Sequence, residues 1–189
     1  AVTDKADGDR YIMYIKNNHG YLINSKKNVI DTGVDFPDLN KDYIFDGEYI
    51  TKDADSNNIK LFMIFDIYYI IAGKVVNYIH KLPFHTTAKK AESRYNLIQN
   101  FKNTVLTSVL MDEYSIEIDV KIYEFGKYGS KEDIGSDKYL SDCKTILTKC
   151  NKILEKEDKN ILRYRIDGLI FLPLFNAVKS KNNTDMPNN

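Results

Sequence analysis

The stretch KLFMIFDIYYIIA, residues 60–72, carries the strongest strand signal in this sequence. β-branched and aromatic residues favour strands, and a centre that is apolar at consecutive positions is typical of a strand covered on both faces. We therefore predict a central strand. Asp66 interrupts the run, which is also too short to cross a bilayer. Because an unpartnered buried carboxylate is costly, Asp66 must be paired, hydrogen-bonded or placed at a pocket.

The chain before this strand is also predicted to be sheet. Short runs rich in Tyr, Ile and Val alternate with polar turn residues, which indicates a meander of antiparallel hairpins. These runs are residues 10–16, 20–24, 27–31 and 43–51.

Two helices and two strands are predicted after the central strand. Thr87 can cap a helix in which apolar residues recur every three or four positions as far as Val105. Residues 137–157 carry the clearest helical stripe, with a charged outer face. Alternating residues 116–125 and the apolar run 162–172 predict the strands.

The remainder, residues 173–189, is polar and without periodicity, so we predict a mobile tail. The sequence shows no internal repeat and no linker. We therefore expect one α+β domain of antiparallel sheets with covering helices.

Charge and cysteine content narrow the function classes. The chain of 189 residues has 27 basic and 27 acidic side chains, so no overall positive field attracts nucleic acid and any such binding must be local. One local patch, Lys81, Lys89, Lys90 and Arg94, is better explained as a solvated helix start.

The chain opens without an apolar leader, and no membrane association is expected. Cys143 and Cys150 are seven apart, on one helical face, which favours reduced thiols in an intracellular protein. His19, His80 and His85 have no metal-binding spacing.

Four short strings place charged residues where packing alone would not require them. They are Lys5-Ala6-Asp7-Gly8 with Arg10 close behind, Asp46-Gly47-Glu48, Phe65-Asp66-Ile67, and Asp167-Gly168-Leu169-Ile170-Phe171. Each has an ordinary explanation by itself, such as a surface lysine before a turn or an Asp-Gly hairpin.

The acids and the amine in these strings suggest chemistry. A lysine ahead of a strand becomes a nucleophile if a nearby cation or metal lowers its pKa. Asp167 is well placed to hold a divalent cation beside Glu48, because hard oxygen ligands suit Mg²⁺.

Taken in order, the four strings resemble the motifs of the covalent nucleotidyltransferases, the superfamily of mRNA capping guanylyltransferases and ATP-dependent polynucleotide ligases. Lys5-Ala6-Asp7-Gly8 is similar to the nucleophile motif KxDG. Ligases usually open the last string with Glu-Gly, whereas capping enzymes favour Asp-Gly-Leu-Ile-Phe. Here Leu172 replaces the Thr that usually follows. The composition looks most like capping enzymes of large cytoplasmic DNA viruses.

The resemblance implies a nucleotidyltransferase fold, ATP-grasp-like or DNA ligase-like, over residues 1–189. Lys5 would attack the α-phosphate of GTP, release pyrophosphate and pass GMP to the 5′-diphosphate end of an RNA. Glu48 and Asp167 would serve Mg²⁺ or Mn²⁺ and the sugar, Arg10 the sugar or phosphate, and Phe65 would stack on the purine. A viral capping enzyme would work in a cytoplasmic factory or virion, and otherwise in the nucleus.

The resemblance also predicts that this domain is partial. A downstream strand with paired lysines is expected in the family, and Lys179 and Lys181 lie too close to Asp167 to supply it. The C-terminal oligonucleotide-binding (OB) barrel is absent, and triphosphatase and methyltransferase domains are expected partners. We therefore predict weak GTP binding and little or no Lys5 adduct by this chain alone.

Two other readings stay open. An RNA or DNA ligase would use the same lysine with ATP, and spacing does not reveal purine choice. A non-catalytic nucleotidyltransferase-fold scaffold is the third reading, against which the intact Lys5, Glu48 and Asp167 argue.

Overall fold

The computed structural model describes residues 1–85, 93–126, 137–159 and 161–174, and for residues 138–140 and 142–143 it describes the backbone alone. Within this part the strands are β1 (Val2–Ala6), β2 (Asp9–Lys16), β3 (His19–Asn24), β4 (Val29–Asp35), β5 (Asp42–Lys52), β6 (Asn58–Ala72), β7 (Val75–Tyr78), β8 (Glu117–Val120) and β9 (Ile166–Phe171). The α-helices are α1 (Arg94–Thr104) and α2 (Asp137–Asp158).

The larger sheet is built around β6. In the described residues it has seven strands in the order β4-β3-β2-β5-β6-β7, with β8 also paired to β6. Because β6 is 15 residues long, its C-terminal half pairs with β7 and its N-terminal half pairs with β8. The predicted central strand is therefore confirmed, and it is covered at Leu61, Phe62 and Ile64 as its apolar run indicates.

The α+β class is confirmed, but the sheets are mixed rather than antiparallel throughout. Strand β8 runs parallel to β6, from Leu61 opposite Glu117 to Ile64 opposite Val120. A parallel pair needs a long crossover, which the chain makes through α1. Periodicity reports which residues alternate, and it carries no information on strand direction.

A second, two-stranded sheet joins the two ends of the described chain. Strand β1 pairs antiparallel with β9, from Val2 opposite Phe171 to Lys5 opposite Gly168. The ammonium of Ala1 also donates to the backbone oxygen of Leu172 at 3.0 Å. Sequence patterns predicted β9, although over residues 162–172, and did not predict β1.

The main core lies between one face of the large sheet and α1. The ring of Phe101 on α1 lies 4.6 Å from that of Phe45 and 5.2 Å from that of Tyr43. Fifteen buried apolar residues form the main core. One face of the large sheet is therefore covered, and the other face is available for a binding site.

Several predicted boundaries were wrong. Helix α1 starts after Ser93, whose side chain accepts a hydrogen bond from the Asn96 amide, while Thr87 lies outside the described residues. Strand β4 is shifted from residues 27–31 to Val29–Asp35, because Lys27 adopts a φ of 65° in the turn. The predicted strand 116–125 ends at Val120.

Two other expectations are only partly covered. Cys150 is buried and free, in agreement with a reduced thiol, whereas the side chain of Cys143 is outside the described part. Of the predicted tail, Leu174 is buried beside Phe84 and Tyr123, and residues 175–189 are not described.

Candidate active site

A cleft of about 450 Å³ lies where the β1–β9 sheet meets the open face of the large sheet. Four of the five residues singled out from the sequence line it, namely Lys5, Arg10, Glu48 and Phe65. The fifth, Asp167, is bonded to Lys5 at the same place. The other lining residues are Asp46, Asp66, Tyr68, Arg94, Tyr123, Ile170, Leu172 and Pro173.

Lys5 lies on β1, opposite Gly168 of β9, just before the Asp7-Gly8 turn that the sequence indicated. Its Nζ donates to Oδ2 of Asp167 at 2.5 Å, and both side chains are about half exposed. That hydrogen bond raises the pKa of Lys5, and the charges of Asp167, Glu48 and Asp7 raise it further. A nucleophilic lysine needs the opposite shift, so in this state the amine is held as an ammonium.

Gly8 brings the turn after Lys5 close to β5. A Cβ at Gly8 would lie 2.8 Å from the Tyr49 carbonyl oxygen and 2.9 Å from Cγ of Glu48. The turn therefore packs directly on the strand that carries Glu48, and the Asp-Gly sequence has a packing reason.

The string Asp46-Gly47-Glu48 is not a hairpin turn, because β5 continues through it from Asp42 to Lys52. Gly47 is required there by β6: an added Cβ would lie 2.2 Å from Cζ of Phe62. The two acids lie on the same face of β5, the face that lines the cleft.

Glu48 is held in position by the buried Lys121. The Nζ of Lys121 donates to Oε2 of Glu48 at 2.8 Å and to the backbone oxygen of Asp4 at 3.0 Å. Lys121 is fully buried, and Oδ2 of Asp4 lies 3.3 Å from its Nζ. Tyr164 donates to the same Asp4 oxygen at 3.1 Å. Two carboxylates and a carbonyl thus share one buried ammonium, as a buried charge requires.

Sequence reasoning missed Lys121 for a specific reason. Alternation through residues 116–125 indicates that Ile122 points inward, but the strand ends at Val120 and the phase changes. Lys121 is consequently buried, while Ile122 is 63% exposed. The available signal was a lysine two positions before Tyr123, at the point where the alternation of apolar and polar residues ends.

Arg10 and Tyr68 both bind Asp46. Arg10 donates from Nε to Oδ1 of Asp46 at 2.9 Å and from a terminal nitrogen to Oδ2 at 2.5 Å. Tyr68 also donates to Oδ2, and burial followed by this bond raises its pKa well above the ordinary value. Asp46 is fully buried and Arg10 is two-thirds exposed, so the guanidinium faces the cleft with its orientation fixed.

Asp66 is partnered, as its position in a buried strand requires. Nε of Arg94 donates to its Oδ1 at 2.8 Å. Burial raises the pKa of Asp66, and the Arg94 charge offsets part of that rise. Arg94 is 3% exposed, so the predicted solvated helix start is wrong at this residue.

Phe65 is half-buried at the cleft wall. The Arg10 guanidinium carbon lies 6.0 Å from its ring centre, and the Tyr123 hydroxyl donates to its backbone oxygen at 2.8 Å. A planar ring beside a guanidinium is a suitable surface for an aromatic base.

The carboxylates at the cleft are oxygen donors of the kind that hard divalent cations prefer. In the described ranges, no group of three or more His, Cys, Asp or Glu side chains is arranged to hold a metal by itself. Mg²⁺ is commonly bound by one or two carboxylates together with substrate phosphates. Asp167 is about half exposed, and Glu48 lines the cleft with one carboxylate oxygen bonded to Lys121, so the donor chemistry suits a Mg²⁺ whose coordination phosphate would complete.

Comparison with known proteins adds nothing to this picture. No protein-family model and no curated protein sequence matches the chain. In addition, no helix within the described ranges has the length and apolar character to cross a membrane.

Proposed function

We propose that this chain is the nucleotide-binding part of an mRNA guanylyltransferase of the covalent nucleotidyltransferase fold. The observation that carries the proposal is the convergence at one cleft of Lys5, Glu48 and Asp167, from three distant segments of the chain. A cleft of about 450 Å³ falls in the range of small-molecule sites.

The first step is attack by the Lys5 amine on the α-phosphorus of GTP. An N–P bond forms, the bond from the α-phosphorus to the bridging oxygen breaks, and pyrophosphate leaves with the bonding electrons. The ammonium must first lose a proton to solvent, a loss that the 2.5 Å bond to Asp167 opposes for as long as it persists. In the second step an oxygen of the RNA 5′-diphosphate attacks, the N–P bond breaks, and the lysine amine is regenerated.

Asp167 and Glu48 would hold Mg²⁺, which neutralises phosphate charge when bound. Engaging Asp167 elsewhere removes the hydrogen bond that raises the pKa of Lys5. The chain's own contribution is therefore to hold the amine protonated until a ligand competes for Asp167.

The remaining residues position the nucleotide. Arg10, held by Asp46, presents its free edge to phosphate or sugar oxygens. Phe65 offers a ring face to the purine. Phosphoryl transfer depends mainly on such alignment and on charge neutralisation, so this set of groups is sufficient in kind.

The proposal is tested by exposing the chain to GTP labelled at the α-phosphate, with Mg²⁺, at millimolar concentration. We expect a faint adduct that is stable to alkali and labile to acid, as a phosphoramidate is, and that disappears in Lys5→Ala. Unlabelled GTP should suppress the signal more strongly than ATP. Equal labelling of Lys5→Ala would overturn the proposal, and stronger suppression by ATP would favour a ligase.

A binding measurement covers the case of an undetectable adduct. Competition between GTP and a fluorescent GTP analogue should give a weak affinity that Phe65→Ala reduces and Lys5→Arg largely keeps. The exposed Tyr114→Phe is the control, since it lies outside the cleft. Lack of any nucleotide binding by the wild-type chain leaves the scaffold reading and rejects the enzyme.

A further inference from the structure

A row of tyrosines crosses the open face of the large sheet beside the cleft. Tyr21 on β3 pairs with Tyr14 on β2, Tyr14 pairs with Ile44 on β5, Ile44 with Tyr69 on β6, and Tyr69 with Tyr78 on β7. Directly paired residues share one face of a sheet. We call these five residues the tyrosine row. At about 4.8 Å between strands it extends across roughly 19 Å.

The row is open to ligands, unlike the core face. Tyr14, Tyr21 and Tyr69 are partly exposed, and Tyr78 is 53% exposed. Cations lie over both halves: Lys16 Nζ is 6.0 Å from the Tyr14 ring centre and Lys81 Nζ is 4.7 Å from that of Tyr78. Aromatic rings interleaved with cations are the two elements of a single-strand nucleic-acid surface.

The row is also continuous with the cleft. Tyr14 and Arg10 lie on the same face of β2, and Ile44 and Asp46 lie on the same face of β5, two residues apart. A polymer whose end lies at Arg10 and Asp46 therefore leaves across the tyrosines.

We propose that the tyrosine row binds single-stranded RNA by base stacking and leads its 5′ end to the cleft. The identity of this occupant rests on the proposed function, while the stacking surface itself does not. Acids mark the direction: Asp31, opposite Tyr21, and Asp35 share the single imidazole of His19, so the β4 end keeps a net negative charge that repels phosphate. The strand therefore runs towards Tyr69, Tyr78 and Lys81.

The test measures anisotropy of a fluorescent 12-nucleotide oligouridine with a 5′-hydroxyl, at low salt, which requires no reaction in the cleft. We expect Tyr69→Ala to weaken binding about five-fold or more, since each stacked base contributes substantially. Tyr69→Phe should bind as the wild type does, because the ring remains. Tyr69→Leu keeps the apolar packing but has no aromatic face, so it should bind as weakly as Tyr69→Ala does. Weak binding by both variants therefore reports the loss of stacking rather than a folding defect.

Matched controls define the surface. The 77% exposed Tyr114 lies in the loop before β8, and Tyr114→Ala should leave binding unchanged. Tyr21→Ala should have less effect than Tyr69→Ala. Replacing both Lys16 and Lys81 by Ala should reduce the slope of log affinity against log salt by about 1.4, at 0.7 per phosphate contact.

Several results would overturn the inference. They are no oligouridine binding at 100-fold excess, equal binding by Tyr69→Ala and wild type, or self-association that Tyr69→Ala abolishes, which would make the row a contact between copies. RNA binding by a chain that binds no nucleotide in the cleft rejects only the proposed function. An adduct without RNA binding rejects only this surface.

Discussion

The ammonium of Lys121 lies 2.8 Å from a carboxylate oxygen of Glu48, and the lysine has no exposed surface. The same ammonium binds the backbone of Asp4, the residue before Lys5. One buried charge therefore ties the strand of the candidate nucleophile to the strand of the candidate metal ligand. It is one of the contacts that hold these two strands together beside the cleft.

Replacing Lys121 by Met should destabilise the fold by about 3–5 kcal/mol, because it leaves the Glu48 and Asp4 carboxylates without their buried partner. Denaturant unfolding measures the change. The matched control is Lys159→Met, whose pair with Glu155 is exposed and should contribute less than about 0.5 kcal/mol. Adding Glu48→Gln to Lys121→Met should recover part of the loss. Similar effects of the two lysine changes would contradict the role given to Lys121.

Gly47→Ala should cost about 1–3 kcal/mol of stability, because its Cβ would overlap the fully buried Phe62 ring at 2.2 Å. Gly126→Ala is the control, since its nearest contact would be an ordinary 3.4 Å to Ile146. Thermal unfolding compares the two. Equal melting temperatures for the two variants would show that β5 moves away from β6 without cost.

Asp167→Asn should lower the pKa of Lys5, since the hydrogen bond that Lys5 donates to Asp167 is the largest cause of its rise. The ε-carbon resonance of Lys5, followed through an alkaline titration, reports this pKa. Asp7→Asn should lower it less, because Asp7 is the smallest of the causes given for Lys5. A Lys5 pKa that does not change in Asp167→Asn would show that the pair is not formed in solution.

His19 should make the β3–β4 hairpin more stable at acidic pH. Its Nδ1 lies 2.5 Å from Asp35 and its Nε2 lies 2.7 Å from Asp31, so both carboxylates are satisfied only by the imidazolium. The hydrogen bond to Asp35 raises the pKa of His19. A raised pKa means that this stabilisation is complete below the unfolded value, about 6.5, and is lost as the pH rises through the folded value.

The measurement is the difference in melting temperature between wild type and His19→Gln from pH 5 to 9. This difference should decrease as the pH rises. The titration of all other groups is common to both proteins and cancels in the difference. His85→Gln is the control, because burial lowers the pKa of His85 and gives the opposite trend. A difference that does not vary with pH would show that the bonds of His19 to Asp31 and Asp35 do not depend on its protonation.

How far the sequence predicts this molecule can be followed residue by residue. The apolar run around Phe62 and Ile64 identified β6, because a short segment with apolar residues at consecutive positions is typical of a strand buried on both faces. Strand β7 was missed because only two residues separate it from the end of β6 at Ala72. The one mark of that tight turn is Gly73, which adopts a φ of 58°. Direction and partner are long-range properties, so the parallel pairing of β8 left no local trace.

The candidate site followed the same division. Lys5, Glu48 and Asp167 were found because the strings that contain them, taken in order, resemble the motifs of the covalent nucleotidyltransferases. Arg94 and Lys121 were missed because their partners are remote: Asp66 is 28 positions from Arg94, and Glu48 is 73 from Lys121. Nothing in a short string of residues shows that a lysine will be buried beside a particular acid.

The pairing of β1 with β9 has a consequence for synthesis of the chain. Lys5 and Asp167 are separated by 162 positions, and at about 5–20 residues per second the ribosome needs roughly 8–30 s between them. During that interval the first strand has no β9 to pair with, and the amine lacks Asp167, the acid to which it donates. The site therefore comes into existence in one late event, after translation has passed residue 171.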